Sequence, residues 1–203
     1  MKGIVRQAVE WGVLILAAWL ISLVIRTYVI DTRVVPTGSM LPTIQLDDRL
    51  IVDKLFFRFS QIRRGDIVVF RAPPEAGEKE ELVKRVIGLP GEKFEVRNGK
   101  VWINDRVLTE DYVLQPPDYR YGPVVIPANA YFVMGDNRRN SKDSHIWGFL
   151  PKNDITGRVL LRYWPLSSFG HLAGPPARGY PAQTTSTSPV AGGTKWFLWG
   201  TVG

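Results

Sequence analysis

The sequence predicts a mainly β protein, in which an N-terminal transmembrane helix is followed by a β-sheet domain carrying an inserted β-hairpin subdomain. Three observations predict it. A long uncharged apolar run stands near the N-terminus. Short runs rich in β-branched residues, bounded by Gly, Pro or Asp, fill residues 31–164. No amphipathic helical period of useful length appears after residue 30.

The helix comes first. "WGVLILAAWLISLVI", Trp11 to Ile25, carries no charge, and Thr27 to Ile30 extends the apolar character past Arg26. A spanning helix needs about 20 predominantly apolar residues. The segment reaches that length if Glu10 or Arg26 carries its charged end out to the interface. Trp11, Trp19 and Tyr28 are the interfacial aromatics. A cleaved secretory signal would show a small-residue cleavage site after the apolar run. "RTYVIDTRVV" offers none, so the segment is expected to remain as an anchor. Lys2 and Arg6 precede it and Arg26 and Arg33 follow it, so charge alone leaves its orientation nearly balanced.

The strands follow in order: "DRLIVDK", "DIVVFRA", "ELVKRVIG", "YFVMG" and "RVLLRYW". The clearest hairpin is "EKFEVRNGKVWIND". Phe94 and Val96 alternate with polar residues, Asn98-Gly99 supplies a two-residue turn, and Val101 and Ile103 resume the alternation. The expected division is an anchor at 1–30, a β-rich domain at 31–164 with 91–129 as an excursion, and a tail at 165–203. The tail stretch "GHLAGPPARGYPAQTTSTSPVAGGTK" has a disordered composition. Its closing "WFLWGTVG" is too short to span a membrane or form a core alone.

Composition narrows the function. Of 203 residues, 45% are hydrophobic and 22% charged, as in a globular protein. The formal charge of +7 is spread out, with no basic helical face, so an anionic lipid surface is as good a reading as nucleic acid. There is no cysteine, which excludes disulfides and thiolate chemistry. The histidines are His145 and His171, the second in the expected tail, too few for a zinc site. The acids around Asp136 do not follow a calcium-loop order. No metal or cofactor is expected.

Three segments carry the chemistry. In "VVPTGSMLPTI", turn formers surround Ser39, which suggests a reachable hydroxyl, but a serine needs a base to take its proton. In "EKEELVKRVIGLPGE", read as a strand, Leu82, Lys84 and Val86 share one face and Val83, Arg85 and Ile87 the other. Each face sets a cation between apolar residues, so one of the two is expected to be pressed inward. An arginine stays protonated to above about pH 12 and cannot act as a base. A lysine, ordinarily near about 10.4, can be lowered by burial into the working range. A lysine lying along the sheet with its amine in water fits the same pattern. In "YFVMGDNRRNSKDSHIWGFLP", Asp136, Asn137, Asn140, Asp143 and Ser144 can bond local backbone and hold an irregular loop in one shape.

Together, "PTGSMLPT", "VKRVIGLPGE" and "GDNRRNSKDSHIWGFLP" resemble the three catalytic signatures of bacterial type I signal peptidases, in that family's order and behind a membrane segment, over roughly residues 10–164. The resemblance implies a serine endopeptidase with Ser39 as nucleophile and Lys84 as general base. It implies an oxyanion hole from the Ser39 N–H and the Thr37 hydroxyl, where the family often has serine. It implies that Ser141 orients the amine and that Asp136, Asn137, Arg138 and Asp143 shape the loop. His145 stands where many members have an arginine; it is expected to be structural and makes its contact with Asp143 titratable. The implied substrates are signal peptides of exported preproteins, cut after small residues at the first and third positions before the scissile bond. Val35, Pro36, Met40, Ile44, Leu82 and Val83 could line apolar pockets for them. The implied location is a cell membrane, single-pass, with the catalytic domain on the extracytoplasmic face and the secretion translocon as a neighbour. Phe56, Phe57 and Phe59 in "KLFFRFS" could dip into lipid or serve the core.

Two rivals remain. Self-cleaving repressors share the Ser–Lys dyad but carry a DNA-binding helical domain where this chain has an apolar segment. A membrane-tethered β domain that binds exported chains without cleaving them would look much like this one if the lysine were misplaced.

Overall fold

The computed structural model describes residues 2–172. The chain begins with α1 (Lys2–Val24). A further helical turn, Ile25–Val29, leads into β1 (Ile30–Val34), β2 (Arg49–Asp53), β3 (Ile67–Arg71) and β4 (Glu81–Gly88). The excursion then contributes β5 (Lys93–Arg97), β6 (Lys100–Ile103), β7 (Arg106–Val107) and β8 (Tyr121–Val125). The chain returns through β9 (Ala130–Met134), the single helical turn α2 (Ser144–Trp147), β10 (Leu150–Pro151), β11 (Ile155–Trp164) and β12 (Gly170–His171).

These strands form two antiparallel sheets. The larger has the order β1-β2-β11-β3-β4-β9-β10, with β12 added to β11; the smaller has the order β7-β6-β5-β8. The Asn98-Gly99 turn forms as expected, with both residues at positive φ, 52° and 70°, which twists the β5–β6 hairpin in the favoured sense. Residues Glu10–Val29 are long and apolar enough to cross a membrane, and none of that window is buried against the protein.

The middle strands of the larger sheet are covered on both faces. Val68, Phe70, Val86, Val133 and Trp147 pack on one side. Ile67, Val69, Leu50, Val52 and Val159 pack on the other. A third cluster joins the sheets, with Phe94, Val96, Val101 and Ile103 against Ile87, Phe132 and Met134. A strand buried on both faces reads as a continuous apolar run, as "DIVVFRA" and "YFVMG" do.

Two expectations differ in detail. The pattern placed one β4 cation inside, yet Lys84 and Arg85 are both buried, because both faces of β4 are covered. The expected tail began at residue 165, but residues 166–172 fold back: β12 pairs with Leu161 and Arg162, and Leu172 joins the core beside Val159. Arg162 ties this return down, donating to the Ser168 carbonyl at 2.7 Å and to Asp48 at 2.7 Å. The Pro/Ser/Gly content of the segment hides a short pairing with β11. The remainder of the tail, including "WFLWGTVG", lies outside the described residues.

Candidate active site

The serine is delivered by a pinned loop. Beyond β1, Val35 N–H donates to the Asp48 carbonyl and Asp47 N–H to the Val35 carbonyl. Gly38–Met40 make one tight helical turn. Met40 and Ile44 drive apolar side chains into the core, and Ser39 is left half-buried at the surface of the turn. The third segment holds this turn from behind: Asn137 N–H donates to the Ser39 carbonyl at 3.0 Å and its side-chain amide to the Gly38 carbonyl at 3.1 Å.

Lys84 meets the serine from β4. Its Nζ lies 2.7 Å from Ser39 Oγ, and the residue is only 3% exposed. Leu82, on the same strand face, packs against the core cluster that contains Val86, so the lysine stem lies between apolar neighbours. That burial lowers the amine from 10.5 to about 8, against the opposing pull of Asp143, Asp136 and Glu78. The Thr37 hydroxyl is 3.4 Å from Ser39 Oγ.

The loop after β9 is shaped by its own polar groups. A Cβ at Gly135 would collide with Ser141 Oγ and with the Ser39 carbonyl, so only glycine allows the loop this close to the serine turn. Asp143 accepts the Gly135 N–H at 2.9 Å and caps α2 through the His145 N–H at 3.2 Å. The His145 ring lies 2.7 Å from Asp143 through Nδ1 and stacks on Tyr119 with centroids 4.0 Å apart. It therefore props the loop. Ser144 Oγ accepts the Val133 N–H at 3.0 Å. Ser141 Oγ is buried and makes no hydrogen bond among the described residues, so the expected contact with the Lys84 amine is not formed here.

Two buried arginines fasten the loop to the rest of the protein. Arg85, the neighbour of Lys84, makes a bidentate pair with Asp136 at 2.8 and 2.6 Å and donates to the Gly65 carbonyl. Arg138 makes a second bidentate pair with Glu110, at 2.8 and 2.5 Å, and donates to the Gly135 carbonyl. Glu110 comes from the excursion, as do Tyr112, whose ring lies under the Arg85 guanidinium, and Tyr119. Glu110, Tyr112, Tyr119 and Gly135 were missed in the sequence. The available signal was charge arithmetic: two arginines beside a buried loop need two acids, and Asp136 supplies only one.

A cleft of about 240 Å³ opens over the serine and lysine. Val35, Pro36, Met40, Leu82 and Val83 line it, as does Thr37; Ile44 is fully buried beneath and does not. The β4–β9 ladder begins only at Arg85 and Met134, so residues 81–84 offer a sheet edge to the cleft. His171 lies on β12, near the Leu160 carbonyl. Among the described residues, no group of three or more metal-ligating side chains converges.

A buried primary amine within hydrogen-bond reach of a serine hydroxyl, with a second hydroxyl alongside, is an arrangement that can serve a serine hydrolase with a lysine base. Residues 8–164 match the family described as signal peptidase, peptidase S26, and the chain belongs to that family. It is 48% identical over 163 residues to a protein named signal peptidase I from Leptolyngbya laminosa, covering 77% of this chain and 80% of that one. It is 43% identical to a probable signal peptidase I-2 from Synechocystis, over 80% of this chain and 76% of the relative. A probable thylakoidal processing peptidase 2 of Arabidopsis thaliana is 41% identical over 75% of this chain and 43% of its own length.

Proposed function

We propose that this chain is a membrane-anchored serine endopeptidase that removes N-terminal signal peptides from exported preproteins, with Ser39 as nucleophile and Lys84 as general base. The observation that carries the reading is the 2.7 Å separation between the Ser39 hydroxyl and an amine that is 3% exposed.

The cycle runs on this chain's own groups. With the amine lowered to about 8, about a tenth of it is neutral at pH 7. Neutral Lys84 accepts the Ser39 proton as Oγ attacks the scissile carbonyl. The developing oxyanion takes hydrogen bonds from the Ser39 N–H and the Thr37 hydroxyl. Protonated Lys84 then gives its proton to the leaving amine, and water attacks the acyl-enzyme through the same base. While Ser39 Oγ is bonded to the substrate carbon, in the tetrahedral intermediate where Lys84 is protonated and in the acyl-enzyme where it is neutral again, the Lys84 nitrogen has lost its hydroxyl partner. Ser141 Oγ is the buried, uncommitted hydroxyl of the adjoining loop and takes that place. Asp136, Asn137, Arg138 and Asp143 hold the loop against the serine turn.

The peptide adds as a strand along the free edge at residues 81–84, where main-chain bonds give affinity and alternate side chains fall into pockets. Val35, Pro36, Met40, Leu82 and Val83 make those pockets shallow and apolar, which suits small residues at the first and third positions before the cut. The chain divides into an anchor at 1–30 and a peptidase domain from 31 onward, with 91–129 as its insertion. The anchor crosses a cell membrane once, with the domain on the extracytoplasmic face, where preproteins leave the secretion translocon. Holding enzyme and substrate in one bilayer raises their effective concentration.

The test is cleavage of a preprotein by the reconstituted chain. Ser39→Ala and Lys84→Ala each abolish it while the circular dichroism spectrum is retained. Robust cleavage by Lys84→Ala would exclude the mechanism.

A further inference from the structure

The larger sheet has a second concavity, at the end where the anchor joins. There Ile30 faces Asp53, Asp53 faces Arg158, and Phe70 faces Ile155 across successive strands. Just beyond Asp53 the chain makes the turn Phe56–Phe59. This turn is bonded to the foot of the anchor: Lys54 Nζ donates to the Thr27 carbonyl at 3.1 Å and Lys54 N–H to the Val29 carbonyl at 3.0 Å. On it, Phe56 and Phe59 are 63% and 83% exposed, whereas Phe57 turns into the core.

Between this turn, the end of β3 and the start of β11 lies a pocket of about 390 Å³. Phe57, Ile62 and Ile155 form its apolar floor. Arg58, Arg71 and Lys152 stand around its rim, and no acidic residue lines it. None of these three cations forms an ion pair among the described residues, whereas Arg64, Arg85, Arg138, Arg158 and Arg162 each meet a carboxylate. Three unneutralised cations around one concavity repel one another, and an anion seated between them removes that repulsion.

We propose that this pocket binds the anionic headgroup of a membrane lipid, with phosphoryl oxygens held by Arg58, Arg71 and Lys152 and acyl chains leaving over Phe56 and Phe59. The position argues for lipid over a soluble anion. The pocket adjoins the residues that leave the bilayer, and two exposed phenylalanines beside it offer what an acyl chain needs and a free phosphate does not. The site lies apart from the cleft over Ser39 and shares no lining residue with it. The inference rests on the reading of α1 as a membrane anchor.

The experiment is native mass spectrometry of the full chain in a neutral detergent, titrated with phosphatidylglycerol, phosphatidylcholine or inorganic phosphate. One phosphatidylglycerol should bind, at least about tenfold more tightly than phosphatidylcholine. One cation at an anionic headgroup is worth about fivefold in affinity. Arg71→Gln should therefore weaken binding about fivefold, and the triple variant Arg58→Gln, Arg71→Gln, Lys152→Gln about a hundredfold. Arg97→Gln with Lys100→Gln, on the distant hairpin, should leave binding as it was. Cleavage of a short signal peptide in lipid-free detergent should be unchanged in every variant. Equal binding of the two lipids, undiminished binding by both Arg71→Gln and the triple variant, or displacement of phosphatidylglycerol by equimolar phosphate would overturn the proposal. Alkaline carbonate extraction reads the anchor separately. A chain that stays in the membrane but shows no headgroup preference refutes this site alone, and a chain that is washed off refutes the anchor as well.

Discussion

Lys84→Met should make this protein inactive and more stable at neutral pH. The amine stands at about 8 in the folded chain against 10.5 in an unfolded one. Below pH 8 both states hold the proton, and the native state carries the full cost of an ammonium in apolar surroundings. At about 1.4 kcal/mol per pH unit, that cost is about 3 kcal/mol. Between pH 8 and 10.5 the unfolded chain keeps a proton that the native chain has released, so the native state gains stability as pH rises. Above 10.5 neither state is protonated and the cost is gone. Methionine keeps the length of the stem without the charge. Losing the bond to Ser39 returns about 1 kcal/mol. Lys84→Met should therefore exceed the parent by about 2 kcal/mol at pH 7, and that advantage should vanish or reverse by pH 10.5. Equilibrium urea unfolding of the two full chains in detergent, followed by tryptophan fluorescence, measures it, and titrations common to both cancel in the difference. A variant less stable than the parent at pH 7, or a gap that does not change with pH, would refute a dry amine. As the proposed general base, the same group should set the acid limb of activity: kcat/KM should fall about tenfold per pH unit below about pH 8.

Other outcomes follow from the same geometry. Thr37→Val removes the proposed oxyanion donor at constant shape and should lower kcat about 10²- to 10³-fold, with Thr37→Ser restoring most of it; steady-state kinetics on a signal peptide reads both. Asp136→Asn leaves Arg85 buried with half its partner and should cost about 3 to 5 kcal/mol in urea unfolding, far more than any exposed ion pair such as Lys93–Asp105. Gly135→Ala should lose activity by pushing the serine turn away from Lys84, with an overpacking cost of about 1 to 3 kcal/mol; kinetics and thermal unfolding of the one variant measure the two effects.

The two buried arginine pairs divide the labour of the excursion. Arg85 and Asp136 join β4 to the catalytic loop, so the strand that carries Lys84 and the loop that backs Ser39 are fixed to one another by charge. Arg138 and Glu110 join that loop to the excursion. The second sheet thus supports the site from outside without contributing a lining residue to the cleft.

Much of this was determined by the sequence alone, because it is local. An apolar run that reaches spanning length with its flanking charges, strand periods bounded by turn formers and an Asn-Gly hairpin each rest on neighbours in the chain, and each stands in the structure as read. The three motifs were legible because the loop residues bond largely to one another: Asp143 to Gly135 and His145, Asn137 to the serine turn. What only the tertiary structure decided is which groups are dry. Alternation along β4 could not say whether Lys84 or Arg85 faced inward; both do, because sheet and excursion cover both faces. Nor could it pair Arg138 with Glu110, 28 residues away in the excursion, or return Leu172 to the core beside Val159. Burial belongs to the assembled fold, and the proton affinity of Lys84 is a property of that burial.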